Sequence, residues 1–287
     1  MTVSVPAYAK INLFLDISSR RENGYHNIVS YMHSVSLCDT VTVSFAPSDE
    51  KTISVTCSNS DLPVNEDNLV YKAAKLHPIC GDIKIHIEKR IPISAGLAGG
   101  SADAAATMKA LDMLSDSPLG TDELCRIGAT LGADIPFCIK GGACIAEGIG
   151  EILNETKIMP NYPIVIAKKG DGMSTPAAYR ELDQKFDNFV GYNVNIDYLS
   201  ALIDSSKKDI EQYCDNLFNI FETVVEPQRP FVTEIKDIMK KQNSAGAMMS
   251  GSGTSVFGIF KNESDAIAAV TALKNIGAEA HLCYPLF

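Results

Sequence analysis

Pro92-Ile93-Ser94-Ala95-Gly96-Leu97-Ala98-Gly99-Gly100-Ser101-Ala102-Asp103-Ala104-Ala105 runs a cluster of glycines straight into an alanine-rich helical pattern. Gly96, Gly99 and Gly100 carry no side chains, so the backbone N–H groups around them can close on a polyphosphate. A helix beginning near Ser101 and running to Leu114 adds its unpaired amides and the positive end of its dipole. Ala104, Ala105 and Ala106 let that helix lie close to a sheet. No Gly-Lys-Ser/Thr follows at Walker spacing, and no G-x-G-x-x-G sits between a strand and a helix, so neither of those nucleotide motifs is present. A loop that merely caps a helix needs fewer glycines than this one has.

Downstream, Gly132-Ala133-Asp134-Ile135-Pro136-Phe137 places one carboxylate between a helix stop and a proline expected to hold Ile135 extended. A carboxylate among apolar neighbours is costly without a partner, and the residues alone leave a functional acid and a turn or capping aspartate equally open. Upstream, Ala9-Lys10-Ile11-Asn12-Leu13-Phe14-Leu15 alternates, with Lys10, Asn12 and Phe14 on one face and Ile11, Leu13 and Leu15 on the core face, and in isolation the lysine and amide read most simply as an edge-strand device. Arg20-Arg21-Glu22-Asn23-Gly24-Tyr25-His26 follows, a glycine turn that presents a phenol beside an imidazole, a pairing that taken alone is more often ordinary surface than site. Near the C-terminus, Ser250-Gly251-Ser252-Gly253-Thr254 is a second small-residue loop, read either as a tight turn or as a second phosphate-facing nest.

Around these stretches, residues 3–55 read as several strands, 68–77 as a helix and 83–88 as a strand. A further helix begins at Thr121 and is stopped by Gly132. Strands return at 143–146 and 163–167. Helical segments are expected at 176–186, 195–203, 216–225 and 230–241, then strands at 248–249, 256–260 and 280–284 around a last helix at 264–276. The interleaving lacks a regular βαβ period, which indicates an α+β fold.

The 287 residues are 46% hydrophobic, enough for a substantial core in two lobes. A formal charge of −10 argues against nucleic acid or an anionic membrane as partner. The eight cysteines form no C-x-x-C pair and have no His at zinc spacing, so reduced structural thiols are expected. No apolar run approaches about 18 residues and the opening residues lack a signal-peptide pattern, which points to a soluble, cytoplasmic protein, monomeric or homodimeric.

Taken in order, the Lys-bearing first strand, the P-x-x-x-G-L-x-G-G-S loop, the aspartate at 134 and the late G-S-G-T loop resemble the GHMP kinases. A-K-I-N-L-F-L-D with N-G-Y-H, E-K-R-I-P, L-G-A-D-I-P-F and A-E-G-I-G-E resemble a branch whose alcohol substrate carries a cytidine diphosphate group. The resemblance runs from residue 7 to about residue 151, with shorter echoes at 174–179 and 249–260. It implies a two-lobed α+β fold: an N-terminal ATP-binding domain (1–155), a more helical C-terminal domain (156–287), and an active site in the cleft between them. It implies ATP and Mg2+ as cofactors, with no protein residue assigned to the metal. Asp134 would be the general base, Lys10 would hold the acceptor hydroxyl, and Asn12 would help fix the substrate. Tyr25 and Tyr179 would sandwich the cytosine and His26 would bond its edge. Asn68 and Lys89 would serve the adenine side, and Gly96, Leu97, Ala98, Gly99, Gly100 and Ser101 would wrap the triphosphate. Tyr179 is otherwise most simply read as core. Ala98 stands where glycine is commonest, which matters if that residue needs positive φ. Ala102-Asp103 replace a frequent Ser-Asn pair, so Asp103 must turn away from phosphate or face magnesium. Another GHMP kinase, or a non-catalytic GHMP-fold metabolite-binding protein, are the alternatives.

Overall fold

The computed structural model describes residues 1–204 and 209–286. It divides into two compact units, one formed by residues 1–9, 38–91 and 98–141, the other by residues 10–37, 92–97 and 142–287. Two very long strands, β1 (Thr2–Arg20) and β2 (His26–Pro47), contribute to both. The region read as several strands is therefore these two and the short β3 (Thr52–Cys57).

In the first unit the end of β2 pairs antiparallel with β4 (Gly81–Glu88), from Thr40 opposite Glu88 to Pro47 opposite Gly81, and β3 pairs parallel with β4. β4 buries Ile83, Ile85 and Ile87 and exposes the residues between, the alternation expected of a strand with one face on a core. The parallel connection from β3 to β4 passes through α1 (Leu69–Leu76), which lies against α2 (Gly99–Leu114). Asn68 starts α1 because its side chain accepts from the Val70 N–H at 2.9 Å. Ala73, Ala104, Ala105 and Met108 form a small core with Leu124 of α3 (Thr121–Ala129) and with Ile135 and Ile139 of α4 (Ile135–Lys140). Gly128 allows that packing, since a Cβ there would stand 2.6 Å from the Ile135 side chain.

Two expectations fail here. Ile135 is not extended but opens α4, with Asp134 at the N-cap in a right-handed helical conformation (φ −78°, ψ −15°). Pro136 sits in the first turn, where its missing N–H costs nothing, and this overrides the usual bias on the preceding residue. Also, α2 begins at Gly99, two residues before the expected start, and α3 ends at Ala129, short of Gly132.

In the second unit β2 pairs antiparallel with β5 (Ala143–Glu147), which pairs with β6 (Ile152–Glu155). The pattern at 152–155 did not announce a strand because this edge is largely exposed and its residues do not alternate in polarity. A separate antiparallel sheet contains β7 (Ile164–Lys168) and is reached through α5 (Thr175–Lys185), α6 (Ile196–Asp204) and α7 (Ile210–Cys214). The segment 216–225, read as one helix, is instead a two-residue strand β8 (Phe218–Asn219) followed by one turn, α8 (Glu222–Val225). Pairing of Phe218 and Asn219 with Phe14 and Leu15 of β1 overrides the local helical pattern. Then α9 (Pro230–Lys241), β9 (Ser244–Met249), β10 (Val256–Phe260), α10 (Glu263–Asn275) and β11 (Glu279–Cys283) complete the order β11-β7-β10-β9. The core of this unit joins Leu15 and Ile17 to Val165, Val232, Ile235, Met239 and Phe260. Among the described residues no helix is long and apolar enough to cross a membrane, and none of the eight cysteines is in a disulfide.

Candidate functional site

The candidates fall into three groups, each built within one unit. In the first unit they gather at the start of α2. Ala98 is its N-cap in the left-handed conformation (φ 57°, ψ 28°) with no side-chain cap, so the position does need positive φ. An alanine held there costs about 1–2 kcal/mol, the kind of local strain that clusters at ligand-binding loops. The first helical bond runs from the Ala102 N–H to the Ala98 carbonyl at 2.8 Å. The N–H groups of Gly99, Gly100 and Ser101 therefore have no partner within the helix and form an anion-ready terminus.

Lys89, and residues next to two further candidates, border that turn. A Cβ at Gly99 would stand 3.4 Å from Lys89 Nζ, one at Gly100 3.7 Å from Leu69, beside Asn68, and one at Gly132 4.0 Å from Ser101 Oγ. Asp134, two residues beyond Gly132, is half-buried and makes no capping bond, and its carboxylate has no hydrogen-bond partner among the described residues. Such a carboxylate is free to accept a proton from something else. Asn68 is more committed, because it accepts from Val70 and donates through Nδ2 to the Pro63 carbonyl at 2.7 Å.

Lys89 is committed as well. Its buried ammonium donates to Asp39 and, at 2.7 Å, to Asp103. Burial works against that charge, but the two carboxylates more than offset it and hold Lys89 above its ordinary pKa. Asp39 also accepts from the Arg90 and Ile91 N–H groups at 2.5 and 2.8 Å. Asp103 thus turns toward Lys89, and its second oxygen is sealed without a partner. Burial, with the Asp39 charge adding to it and Lys89 opposing, pushes Asp103 up to about 7. Between its unfolded value near 4 and pH 7 the native chain holds the extra proton, so this group's contribution to stability falls as pH rises. Asp103→Asn, neutral at every pH, is expected to raise the melting midpoint at pH 8, with the gain shrinking toward pH 5. Circular dichroism melts across that range would read it, and a gain that grew on acidification would contradict the assignment.

In the second unit a polar seam runs along β1. Lys10, Asn12, Ser30 and Ser250 are all nearly sealed, at 5%, 2%, 0% and 0% exposure. Lys10 Nζ donates to Asn12 Oδ1 at 2.7 Å, Asn12 Nδ2 to Ser30 Oγ at 2.8 Å, and Ser30 Oγ to the Phe14 carbonyl at 2.7 Å. The alternation was read correctly, but the face carrying Lys10 is as buried as the apolar one. Lys10 has no carboxylate partner among the described residues. A buried ammonium neutralised by nothing is expensive, and it has donors left for an incoming anion. Ser250 Oγ donates to the Gly96 carbonyl at 3.0 Å, and the Lys10 N–H donates to the Leu97 carbonyl at 3.2 Å. Gly96 has φ +75°, and a Cβ there would stand 2.1 Å from the Ser250 carbonyl oxygen. The late G-S-G-T loop is therefore packed backbone to backbone on the segment 92–97. Ser30 was missed in the sequence, where nothing marks one serine in a long strand.

The third group holds the aromatic candidates. Tyr25 is 60% exposed beyond the Gly24 turn. His26 is buried and stacks on Tyr179 of α5, with ring centroids 4.5 Å apart and planes at 20°. His26 Nε2 lies 2.6 Å from Asp183 Oδ1, and Arg20 Nε lies 3.3 Å from Asp183 Oδ2. Tyr179 also meets Phe221 edge-on at 5.0 Å and packs against the core. His26 and Tyr179 are thus brought together, with one face of Tyr179 covered by the imidazole, and the tyrosine serves the core as well. Asp183 was missed. Its signal was helical spacing, one turn after Tyr179 on the same face.

Among the described residues no group of three or more His, Cys, Asp or Glu could hold a metal by itself. A magnesium ion that arrives on a polyphosphate needs only one or two protein oxygens, so this donor set is compatible with a nucleotide-borne ion.

Residues 68–142 match the family model of the GHMP kinases N terminal domain, and residues 198–279 match that of the GHMP kinases C terminal. A protein of Caldicellulosiruptor saccharolyticus called 4-diphosphocytidyl-2-C-methyl-D-erythritol kinase is 42% identical over 272 residues, covering 93% of this chain and 91% of its own. A crystal structure of 4-(cytidine 5'-diphospho)-2C-methyl-D-erythritol kinase superposes with a TM-score of 0.83 at 29% identity, covering 99% of both chains. Homoserine kinase of Cytophaga hutchinsonii superposes with a TM-score of 0.71 at 18% identity over 99% of this chain and 94% of its own, a likeness of fold alone.

Proposed function

The chain belongs to the GHMP kinase family, and from that premise we propose that it transfers the γ-phosphoryl group of ATP to the 2-hydroxyl of 4-diphosphocytidyl-2-C-methyl-D-erythritol, in the non-mevalonate route to isoprenoid precursors. The observation that carries the reading is the first turn of α2: amides with no partner within the helix after a strained Ala98, with Gly132 of the turn that leads to Asp134 alongside. The family's two domains are taken to divide near residue 155, between the two matched segments.

Phosphoryl transfer asks for positioning and charge neutralisation more than covalent help from the protein. Asp134 takes the proton of the acceptor hydroxyl as its oxygen bonds to the γ-phosphorus, while the bond to the β-phosphate bridging oxygen breaks and ADP leaves. Lys10 is assigned to the same hydroxyl and to the charge that builds toward the transferring group. That no carboxylate pairs with it among the described residues supports this, since an ammonium already neutralised would have little to offer. Asn12 holds Lys10 in place and helps fix the substrate. The amides of 96–101 receive the polyphosphate, and magnesium, when bound, spreads the negative charge on its oxygens. Tyr25 offers an exposed ring for the cytosine, with His26 and Tyr179 forming the rest of the clamp. Lys89 and Asn68 serve the adenine side only through what their existing bonds leave free. The reading places the enzyme in the cytoplasm, in keeping with eight cysteines outside any disulfide.

A non-catalytic metabolite binder, or a kinase for another alcohol, would differ in turnover. Purified protein incubated with ATP, magnesium and a panel of mevalonate, homoserine, a sugar and the cytidylyl methylerythritol is expected to release ADP with the last alone. Release with another alcohol, or with none, would refute the assignment.

A further inference from the structure

Asp183 Oδ1 stands 2.6 Å from His26 Nε2 across 157 residues of chain, while Arg20 engages its other oxygen. Asp183 is only 15% exposed and His26 only 5%, so this is a held pair and not a surface encounter. A carboxylate can only accept, so Nε2 carries a hydrogen, and of the two imidazole tautomers this selects the one whose lone pair lies on Nδ1. Nδ1 has no partner among the described residues, and it is not one of the sealed, unpartnered side-chain atoms, so solvent or a ligand reaches it. Stacking on Tyr179 fixes the plane of the ring and hence the direction in which that lone pair points.

We infer that Asp183 is a positioning residue that sets base specificity, by locking His26 in the tautomer whose free nitrogen accepts a hydrogen bond from the amino group of cytosine and repels the carbonyl of uracil. The inference rests on the functional reading above and adds to it the residue that enforces the choice of base. Cytosine presents an amino donor at C4 where uracil presents a carbonyl acceptor, so one lone pair in a fixed direction distinguishes them. Arg20 sharpens the device. If residue 183 were asparagine, its carbonyl oxygen would turn to the guanidinium and its amide NH2 to His26. Nε2 would then have to accept, the hydrogen would move to Nδ1, and the ring would offer a donor to the base.

The test compares wild type, Asp183→Asn and Asp183→Ala. The probes are 4-diphosphocytidyl-2-C-methyl-D-erythritol and its uridine diphosphate counterpart, with melting midpoints and the KM for ATP as controls. Wild type is expected to prefer the cytidine substrate on the order of 100-fold in kcat/KM. Asp183→Ala should reduce that preference by about tenfold, through KM, and Asp183→Asn by more, because it inverts the tautomer instead of freeing it. Nitrogen-15 spectra of His26 in the ligand-free protein should show hydrogen on Nε2 in wild type, a mixture in the alanine variant and hydrogen on Nδ1 in the asparagine variant. A merely structural Asp183 would lower both substrates equally and leave the ratio unchanged, which overturns the inference, as does wild-type His26 with hydrogen on Nδ1. Cytidine turnover with an unchanged ratio in the variants rejects the inference alone. Wild type that turns over neither substrate rejects the functional reading along with it.

Discussion

Asp134→Asn is expected to lower turnover by about 100-fold or more while leaving the KM for both substrates close to wild type. The side chain keeps its size, and asparagine is as good a residue at a helix N-cap as aspartate, so α4 and the packing of Ile135 and Ile139 in the small alanine-rich core should survive. What is lost is the acceptor for the hydroxyl proton. Among the described residues none holds the Asp134 carboxylate, so the substitution breaks no bond seen there, and the effect should fall on the chemical step. Single-turnover kinetics with ATP and the cytidylyl substrate would separate that step from binding. A variant with full turnover would remove Asp134 from the role of base, and one that lost ATP affinity would assign it to the nucleotide instead.

The second large effect is on stability. Lys89→Met should cost about 3–5 kcal/mol, because it removes the ammonium shared by two buried carboxylates, Asp39 at 0% and Asp103 at 3% side-chain exposure, and leaves Asp39 with only its backbone donors while Asp103 must take up a proton. The comparison that makes this decisive is Lys169→Met. It breaks the exposed pair with Glu234 at 2.8 Å, a class of interaction worth about 0–1 kcal/mol. Urea unfolding of the two variants should differ accordingly. Equal, small losses would mean that the Lys89 network is solvated in solution and that Lys89 is free for the nucleotide, as the family resemblance implies. Adding Asp103→Asn to Lys89→Met should recover part of the loss, since it removes the carboxylate that must take up a proton.

Much of this architecture was legible because its signals are local. The alternation of Ile83, Ile85 and Ile87, the helix after residue 68, and the glycines feeding an alanine-rich run each depend on neighbours within a turn or a strand. The failures share a cause too. Phe218 and Asn219 carry a helical pattern, yet they pair with β1, some 200 residues earlier in the chain. Ile135 precedes a proline, yet it starts a helix, because Pro136 fills a first-turn position that needs no donor. The edge strand at 152–155 carries no apolar alternation, so only its pairing with β5 identifies it.

The candidate site divides in the same way. Residue types and their spacing marked the glycine loop by themselves, since glycines before a helix are conspicuous, whereas Lys10, Asn12, His26 and Asp134 were singled out only by their order along the chain and the family resemblance it carries. Their partners were not, because a hydrogen bond has a range of about 3 Å and the chain brings the groups together from far apart. Ser250 reaches Asn12 and Gly96, Asp39 reaches Lys89, and Asp183 reaches His26. By itself the sequence determined which chemistry is available. Only the tertiary structure decided which charges are neutralised, as at Lys89, and which are left waiting, as at Lys10, because desolvation and distance are properties of the fold and not of the order of residues.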